Sequence, residues 1–154
     1  MLEIRPASPA DLPAIVTLIQ TAFAEYEGQL DPPSSAQTKT VAATSQELAD
    51  GGALVAYADQ MMVGSVFYHL RADHLYLDRL AVLPEYRRRG LAGRLIAAVE
   101  DLALQSGLTL VRLSVRLALA ENRRFYERLG YEFFKHGTHA GYPGPTYVTL
   151  QKQL

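Results

Sequence analysis

Residues 80–95, LAVLPEYRRRGLAGRL, constrain the fold more than any other part of the chain. The segment begins as an apolar, strand-like run, breaks at Pro84, carries three consecutive arginines and continues past Gly90 as an amphipathic helical pattern. A strand that enters a helix through a glycine-containing turn aims several main-chain N–H groups, with the helix dipole behind them, at one point. The segment therefore predicts a strand–turn–helix unit with an anion site at the turn.

The side chains of this turn also suit an anion. Gly90 lets the main chain approach a ligand closely, and Ala92 and Gly93 leave the first helical turn open. Arginine guanidinium groups match phosphate oxygens in geometry. The spacing lacks the G-K-[ST] of a nucleotide-triphosphatase loop and the G-x-G-x-x-G of a dinucleotide fingerprint. The alternative is a surface helix start with solvated arginines.

The other segments alternate between strand and helix patterns. Ser8, Pro9 and Asp11 predict a helix N-terminus with a capping box, and a weaker helical pattern covers residues 36–50. Three strand runs between residues 52 and 82 have short connections, which favour antiparallel neighbours. The element order βααβββαβαββ predicts an α/β fold, in which helices flank a mixed, mostly antiparallel sheet. At 154 residues, we expect a single domain over 1–154.

Composition excludes several classes of site and location. The chain has no cysteine, so no disulfide, thiolate metal site or cysteine nucleophile is available. The four histidines lack ligand-like spacing, and we predict no metal. No apolar run approaches the ~18 residues of a membrane span, and the N-terminus lacks the pattern of a secretory signal. We therefore expect a cytoplasmic protein without a membrane partner.

Charge is distributed unevenly along the chain. Eight acidic and two basic residues give the first 70 residues a net charge of −6, and the remaining residues carry +5. Such an imbalance is typical of two binding surfaces with opposite preferences, although charges also scatter by chance over a solvated surface. Nucleic acid is excluded as a partner, because the pI is about 6.4 and the arginine run is confined to one turn.

Two segments resemble the signatures of one family. Residues 80–95 resemble the acetyl-CoA-binding signature of the GNAT superfamily of acyl-CoA-dependent N-acyltransferases, in which [R/Q]-x-x-G-x-[G/A] follows an apolar strand end. Residues 87–92, RRRGLA, fit each fixed position, and NRRFYERLGY at 122–131 is similar to the later motif of the family. The element order agrees with that family over nearly the whole chain.

The resemblance implies a coenzyme A site built mostly from main chain. It places the pyrophosphate on the amides at the Gly90 turn and pantetheine along the edge of the fourth strand, which splays from the fifth. The Val82 amide is then expected to polarise the thioester carbonyl. The residues assigned to acetyl-CoA are Leu80, Ala81, Val82, Arg87, Arg88, Arg89, Gly90, Leu91, Ala92, Gly93, Asn122 and Tyr126.

Two residues of the second motif, Tyr126 and Asn122, each have two alternative roles. The resemblance implies that Tyr126 is the general acid that protonates the departing thiolate, whereas the alternative is packing beside Phe125 and Leu129. Many members place a coenzyme-contacting asparagine seven residues before the tyrosine, where this chain has Leu119. Asn122 therefore either contacts the coenzyme from a shifted position or caps the short helix.

The general base is not evident from the resemblance. The positions at which members often carry a glutamate hold Tyr76 and Ser114, neither of which is a convincing base. Asp78 shares strand parity with Tyr76 and is the candidate, directly or through water, with an ion pair to a neighbouring arginine as the alternative. Glu25 and Glu27 are expected to border the acceptor site or only to solvate the helix end. Tyr142 and Tyr147 either line that site or belong to a rigid hairpin loop.

The sequence therefore predicts a GNAT-like enzyme that moves acetyl from acetyl-CoA to a primary amine by direct ternary-complex transfer. The acidic N-terminal half suits a small cationic amine, a lysine side chain or a peptide N-terminus as acceptor. The alternative is a non-catalytic acyl-CoA-binding or sensing domain of the same fold, in which the base has been lost. The resemblance is also compatible with a homodimer.

Overall fold

The chain forms strands and α-helices in the predicted order over residues 2–38 and 40–154, which this computed structural model describes. The strands are β1 (Leu2–Pro6), β2 (Gly52–Ala58), β3 (Met61–Leu70), β4 (Leu75–Val82), β5 (Leu110–Arg116), β6 (Glu132–Gly137) and β7 (Tyr147–Gln153). The helices are α1 (Leu12–Phe23), α2 (Val41–Asp50), α3 (Leu91–Gln105) and α4 (Ala120–Arg128). The prediction of the element order is confirmed.

The described strands form one sheet in the order β1-β2-β3-β4-β5-β7-β6. Strands β1 to β4 pair as antiparallel neighbours, as the short connections predict, and β7 lies antiparallel between β5 and β6. The β4–β5 pair is parallel, because α3 carries the chain from one strand to the other. The mixed, mostly antiparallel sheet is thus confirmed.

Helices cover both faces of this sheet. The apolar stripe of α3, which includes Leu95 and Val99, packs against one face together with Leu113 and Leu150. On the other face, α1 buries Ile15 and its neighbours against β2 and β3. These side chains are almost fully buried, so the two apolar layers fix the sheet between the helices.

The start of the first helix is held by a buried carboxylate. Ser8 is the N-cap and Asp11 the acid of the capping box, as predicted, and the first turn over Pro9–Asp11 is 3-10 before α1 begins at Leu12. Asp11 accepts hydrogen bonds from Arg5 at 2.9 and 3.0 Å, from the Ser8 amide at 2.8 Å and from Tyr57 at 3.0 Å. The Arg5 hydrogen bonds hold the pKa of Asp11 well below its ordinary value.

A β-bulge interrupts β4 at Arg79. The register with β3 shifts there, and Arg79 has a φ of 55°, in the left-handed region. The Asp78 carboxylate accepts a hydrogen bond from the Arg79 amide at 2.9 Å, which stabilises this conformation. The extra residue reverses strand parity, so that Leu77 before the bulge and Val82 after it face the same apolar layer.

Strands β4 and β5 separate after a short paired stretch. Their pairing consists of Leu75 with Val111 and Tyr76 with Arg112 in the described residues, whereas β5 pairs with β7 along its length. Among the described residues, the C-terminal half of β4 therefore has a partner strand on its β3 side only, as the resemblance implies. Within residues 2–38 and 40–154, none of the helices combines the length and apolarity needed to cross a bilayer.

Candidate active site

A cavity of about 460 Å³ lies where the end of β4, the arginine turn and the first turns of α3 and α4 meet. Its wall combines main chain from the strand edge and turn with side chains from the end of α1. The lining residues are Ala22, Phe23, Tyr26, Leu80, Ala81, Val82, Tyr86, Arg87, Arg88, Gly90, Leu91, Ala92, Gly93, Glu121, Asn122, Phe125, Tyr126 and Arg128. Nearly all the residues predicted to bind acetyl-CoA therefore share one cavity.

The floor of this first cavity is the N-terminus of α3. Gly90 is the N-cap with a φ of 78°, and its carbonyl accepts the first hydrogen bond of the helix, from Arg94 at 3.1 Å. The amides of Leu91, Ala92 and Gly93 precede that bond and have no acceptor within the helix. A Cβ atom built on Gly90 or Gly93 meets no atom within 4 Å, so the space above both glycines is open.

The Val82 amide also points into the cleft. The next amide, that of Leu83, donates to the Val63 carbonyl on β3 at 3.0 Å. Because successive amides of a strand point to opposite sides, the Val82 N–H points away from β3, towards the gap left by β5. The Val82 carbonyl agrees with this orientation, since it accepts a hydrogen bond from Arg87 across the same gap at 3.3 Å.

The three consecutive arginines have three different environments. Arg87 donates to the Ala22 carbonyl at 2.8 Å and pairs with Glu25, so it ties the end of α1 to the turn. Arg88 lines the cavity, whereas Arg89 lies over the Tyr86 ring, 5.1 Å from its centroid, and is not part of the cavity wall. Glu25 is therefore occupied by an arginine of the turn, and Glu27 is exposed.

A second cavity, of about 320 Å³, opens on the other side of the splayed strands. It reaches from the end of α1 and the loop before α2 to the β4 bulge and the end of β5. Five residues line both this cavity and the first: Phe23, Tyr26, Leu80, Asn122 and Tyr126. The two cavities are thus neighbours that share one wall.

Together with Tyr26, Tyr126 is one of the two titratable side chains among the described residues of this shared wall. Its ring packs edge-on against Phe125 and Tyr131, with centroid distances of 5.2 and 6.0 Å. Burial raises the pKa of its phenol above the usual range, and the negative charge of Asp78 raises it further. Tyr126 therefore packs and also lines both cavities, as a neutral hydroxyl at physiological pH.

Asn122 lies within α4 rather than at its cap. The N-cap residue of α4 is Leu119, so the capping alternative for Asn122 is wrong. The Asn122 side chain borders both cavities, and it has no hydrogen bond to another residue in the described part of the chain.

The second cavity contains a candidate base at Asp78. No arginine forms an ion pair with Asp78 among the described residues, in contrast to the alternative considered from sequence. Tyr76 donates a hydrogen bond to Ser114 at 2.9 Å, and burial raises the pKa of Tyr76. These two residues, at the positions of the usual glutamates, are therefore engaged with each other as neutral hydroxyls.

The β6–β7 loop contributes His139, for which the sequence predicts no role in the site. His139 borders the second cavity and also a third one of about 400 Å³, which is lined by Tyr76 and Tyr147 as well. Burial lowers the pKa of His139, and the charge of Arg116 lowers it further, which favours the neutral form of the ring. Tyr142 lies against His139 and hydrogen-bonds Asp31, so it braces the loop.

Arg79, Arg116 and Arg128 are also wall residues without a sequence prediction. Their spacing along the chain carries no signal, because the bulge, the end of β5 and α4 meet only in the tertiary structure.

The residues that the structure describes contain no group of three histidine, aspartate or glutamate side chains that could hold a metal ion.

The match to a family model decides the classification. The model of the acetyltransferase (GNAT) family matches residues 14–131, which include both motifs and most of both cavities. The chain belongs to this family. Acetyl-CoA is the cosubstrate of GNAT acetyltransferases.

Solved structures agree with the family in fold. A PaiA N-acetyltransferase from Thermoplasma acidophilum, in complex with coenzyme A, superposes with a TM-score of 0.81 at 21% identity, covering 100% of this chain and 99% of that chain. The ribosomal-protein-S18-alanine N-acetyltransferase from Escherichia coli gives 0.77 at 22% identity, covering 99% and 94%. Ard1 from Thermoplasma volcanium gives 0.81 at 21% identity, covering 99% and 97%. At these identities the likeness shows the fold.

The first cavity fits a coenzyme A molecule on its own geometry. It offers unbonded helix amides, open space above two glycines and a strand-edge amide at Val82. Its arginines outnumber its acidic side chains, of which Glu121 is the one in the described wall. A polyanion with an extended arm matches this combination of features.

Proposed function

We propose that this protein transfers the acetyl group of acetyl-CoA to a primary amine, and that residues 1–154 act as one acetyltransferase domain. The observation that carries the proposal is the meeting of two cavities at Tyr126, one suited to a polyanionic coenzyme and one beside a carboxylate. A ternary complex with both substrates side by side follows from this arrangement. Direct transfer is consistent with a chain that has no cysteine to carry the acyl group.

We assign the coenzyme-binding roles to residues of the first cavity. The amides of Leu91, Ala92 and Gly93 hold the pyrophosphate, with Arg88 adding charge at the rim. The edge of β4 over residues 80–82 holds pantetheine through main-chain hydrogen bonds, like an added strand. Asn122 contacts the coenzyme arm from α4. Arg87 acts through its bonds to α1, which keep the turn in place.

We assign the catalytic roles to groups at or beside the wall that the two cavities share. Bound acetyl-CoA supplies the acetyl group as a thioester. The Val82 amide stabilises the charge that develops on the carbonyl oxygen as the amine nitrogen bonds to the carbonyl carbon. Asp78 takes the proton that the nitrogen loses, directly or through water. Tyr126 gives a proton to the sulfur as the carbon–sulfur bond breaks.

The raised pKa of Tyr126 suits this role. A phenol ordinarily has a pKa of ~10 and a thiol ~8.5, and burial raises both, because it disfavours the charged form of each. Burial of the sulfur beside Tyr126 would shift the thiol pKa in the same direction as that of the phenol. The phenol remains protonated over the pH range in which amines become nucleophilic.

Two measurements test the proposal. Acetyl-CoA or CoA at about 100 times its Kd should stabilise the fold by about 2.7 kcal/mol, or roughly 5–10 °C, and ATP should give a smaller shift. A panel of primary amines with acetyl-CoA should then release free thiol. Binding without thiol release from any amine would favour the acyl-CoA-binding alternative, which the Tyr76–Ser114 hydrogen bond at the usual base positions supports. No shift with either CoA species would contradict both.

A further inference from the structure

Two arginines line the second cavity from opposite sides of the strand gap. Arg79 is the residue of the β4 bulge, and Arg116 ends β5. Asp78 is the carboxylate among the described residues of the same wall. The charged side chains of the acceptor cavity are thus two cations and one anion, although the N-terminal half of the chain is acidic.

Neither arginine has a carboxylate partner among the described residues. Arg116 donates to the carbonyl oxygens of Pro32 at 2.6 Å and Pro33 at 3.3 Å, and Arg79 donates to the Ser35 hydroxyl. The Nε atom of Arg79 is buried without a hydrogen-bond partner there. By contrast, Arg5 and Arg87 form ion pairs with acidic side chains.

The Arg116 guanidinium lies within electrostatic reach of Arg79. Burial lowers the pKa of Arg116; Tyr142 opposes this shift, the positive charge of Arg79 adds to it, and Asp31 opposes it with the smallest effect. Asp31 itself is exposed and is hydrogen-bonded by Tyr142. A half-buried pair of like charges that faces one cavity creates a positive potential, which an anionic ligand relieves.

We propose that the acceptor amine also carries a carboxylate, which Arg79 and Arg116 bind while the amine nitrogen lies towards Asp78 and Tyr126. The inference rests on the proposed acetyl transfer and narrows its acceptor to amino acids and related amino carboxylic acids. A guanidinium group binds a planar carboxylate through paired N–H donors, which fixes orientation as well as affinity. The carboxylate of such a substrate then faces the two arginines, and its amino group faces Asp78.

Matched pairs of acceptors test this assignment. We would compare α-, β- and γ-amino acids, each with its own carboxamide, and spermidine as a cation without a carboxylate, by thiol release from acetyl-CoA. The preferred acid should exceed its carboxamide in kcat/KM by roughly 10- to 100-fold, the size of a charge-assisted hydrogen-bond pair. Arg116→Gln and Arg79→Gln should reduce that ratio towards one, chiefly through KM.

The ratio separates recognition from a structural role. If Arg116 only holds the loop at Pro32 and Pro33, its replacement lowers the rates for acid and carboxamide equally and leaves the ratio unchanged. Arg112→Gln is the control on the same strand, because Arg112 bonds Gln151 and stacks on Phe134 outside the cavities. That variant should keep the acid-to-carboxamide ratio of the parent.

A binding measurement keeps this inference separable from the proposed function. With the protein saturated in CoA, the preferred amino acid should raise Tm and its carboxamide should not, and Arg116→Gln should abolish the difference. Thiol release that is equal for acid and carboxamide, or greatest for spermidine, would overturn the carboxylate assignment and leave acetyl transfer standing. An acid-specific Tm shift without thiol release from any amine would overturn acetyl transfer and keep the arginine pair as a carboxylate site. The absence of both the acid-specific Tm shift and thiol release would overturn both proposals.

Discussion

The two cavities that meet at Tyr126 differ in the groups that line them: main chain dominates the first and side chains dominate the second. The first relies on main chain: helix amides beyond Gly90, the edge of β4 and the Val82 amide. The second relies on side chains from separate segments, with Asp78 and Arg79 at the bulge, Arg116 at the end of β5 and His139 in the last loop. A site made of main chain needs only a glycine and a helix start, whereas a site made of side chains depends on tertiary structure.

This difference has a consequence for mutations. Side-chain replacement in the first cavity leaves the amides in place, so changes that fill the space or alter the turn should weaken coenzyme binding more than the loss of a single side chain such as Arg88. In the second cavity the proposed carboxylate ligands and the proposed base are charged side chains, so single conservative replacements there should alter catalysis while the coenzyme still binds.

The largest effect is expected at the wall that both cavities share. Tyr126→Phe removes the hydroxyl but keeps the ring that packs on Phe125 and Tyr131, so CoA affinity and stability should change little. Because the proposed proton donor is lost, kcat should fall by about 100- to 1000-fold. Steady-state thiol release and CoA titration measure the two quantities.

Tyr131→Phe provides the matched control for loss of a buried hydroxyl. Tyr131 contacts the Tyr126 ring, but its hydroxyl donates to Glu100 at 2.9 Å on the α3 side of the sheet, and Tyr131 is not among the described wall residues of either cavity. Its replacement should cost about 1–2 kcal/mol of stability and leave kcat near the parent value. If Tyr126→Phe retains full kcat, the general-acid role is wrong.

Asp78→Asn tests the acceptor side of the wall. The amide oxygen can still accept the hydrogen bond from Arg79, so the bulge should persist while the basic carboxylate is lost. We expect kcat to fall by roughly 10- to 100-fold with CoA affinity unchanged. His139→Gln should have a much smaller effect on kcat; a larger loss in that variant than in Asp78→Asn would identify His139 as the base.

Gly90→Val tests the coenzyme side. Valine at a φ of 78° is strained by about 2 kcal/mol, and its side chain would occupy the open space above the helix amides. CoA affinity should fall by roughly 10- to 30-fold, as measured by calorimetric titration, because hydrogen bonds to charged phosphates are lost.

A second glycine separates strain from obstruction. Gly107, beyond the C-terminus of α3, has the same φ of 78° and the same open space around a Cβ. Gly107→Val should lose a similar amount of stability in denaturant unfolding while CoA affinity is retained. Equal CoA affinity in the two variants would place the phosphate site elsewhere.

The two cavities also differ in how far the sequence predicts them. The element order and the anion turn are local patterns, since hydrophobic periodicity and one glycine at a helix start specify them. Arg79 and Arg116 are 37 positions apart in sequence order and meet because β4 bulges and β5 diverges. The sum of charges along the sequence likewise does not predict the charge of this cavity: the acidic side chains of the first 70 residues are not among those described in its wall, whereas Arg79 and Arg116 are.

The smallest effect concerns Gly93, where stability and binding should move in opposite directions. Gly93 lies in the first turn of α3, and a Cβ there meets no atom within 4 Å. Alanine has the higher helix propensity, so Gly93→Ala should stabilise the fold by up to about 1 kcal/mol. Since the added methyl group stands in the open space beside the amides, CoA affinity should nevertheless fall by about 2- to 3-fold. A stabilised variant with unchanged or tighter CoA binding would mean that the phosphates do not approach this turn of the helix.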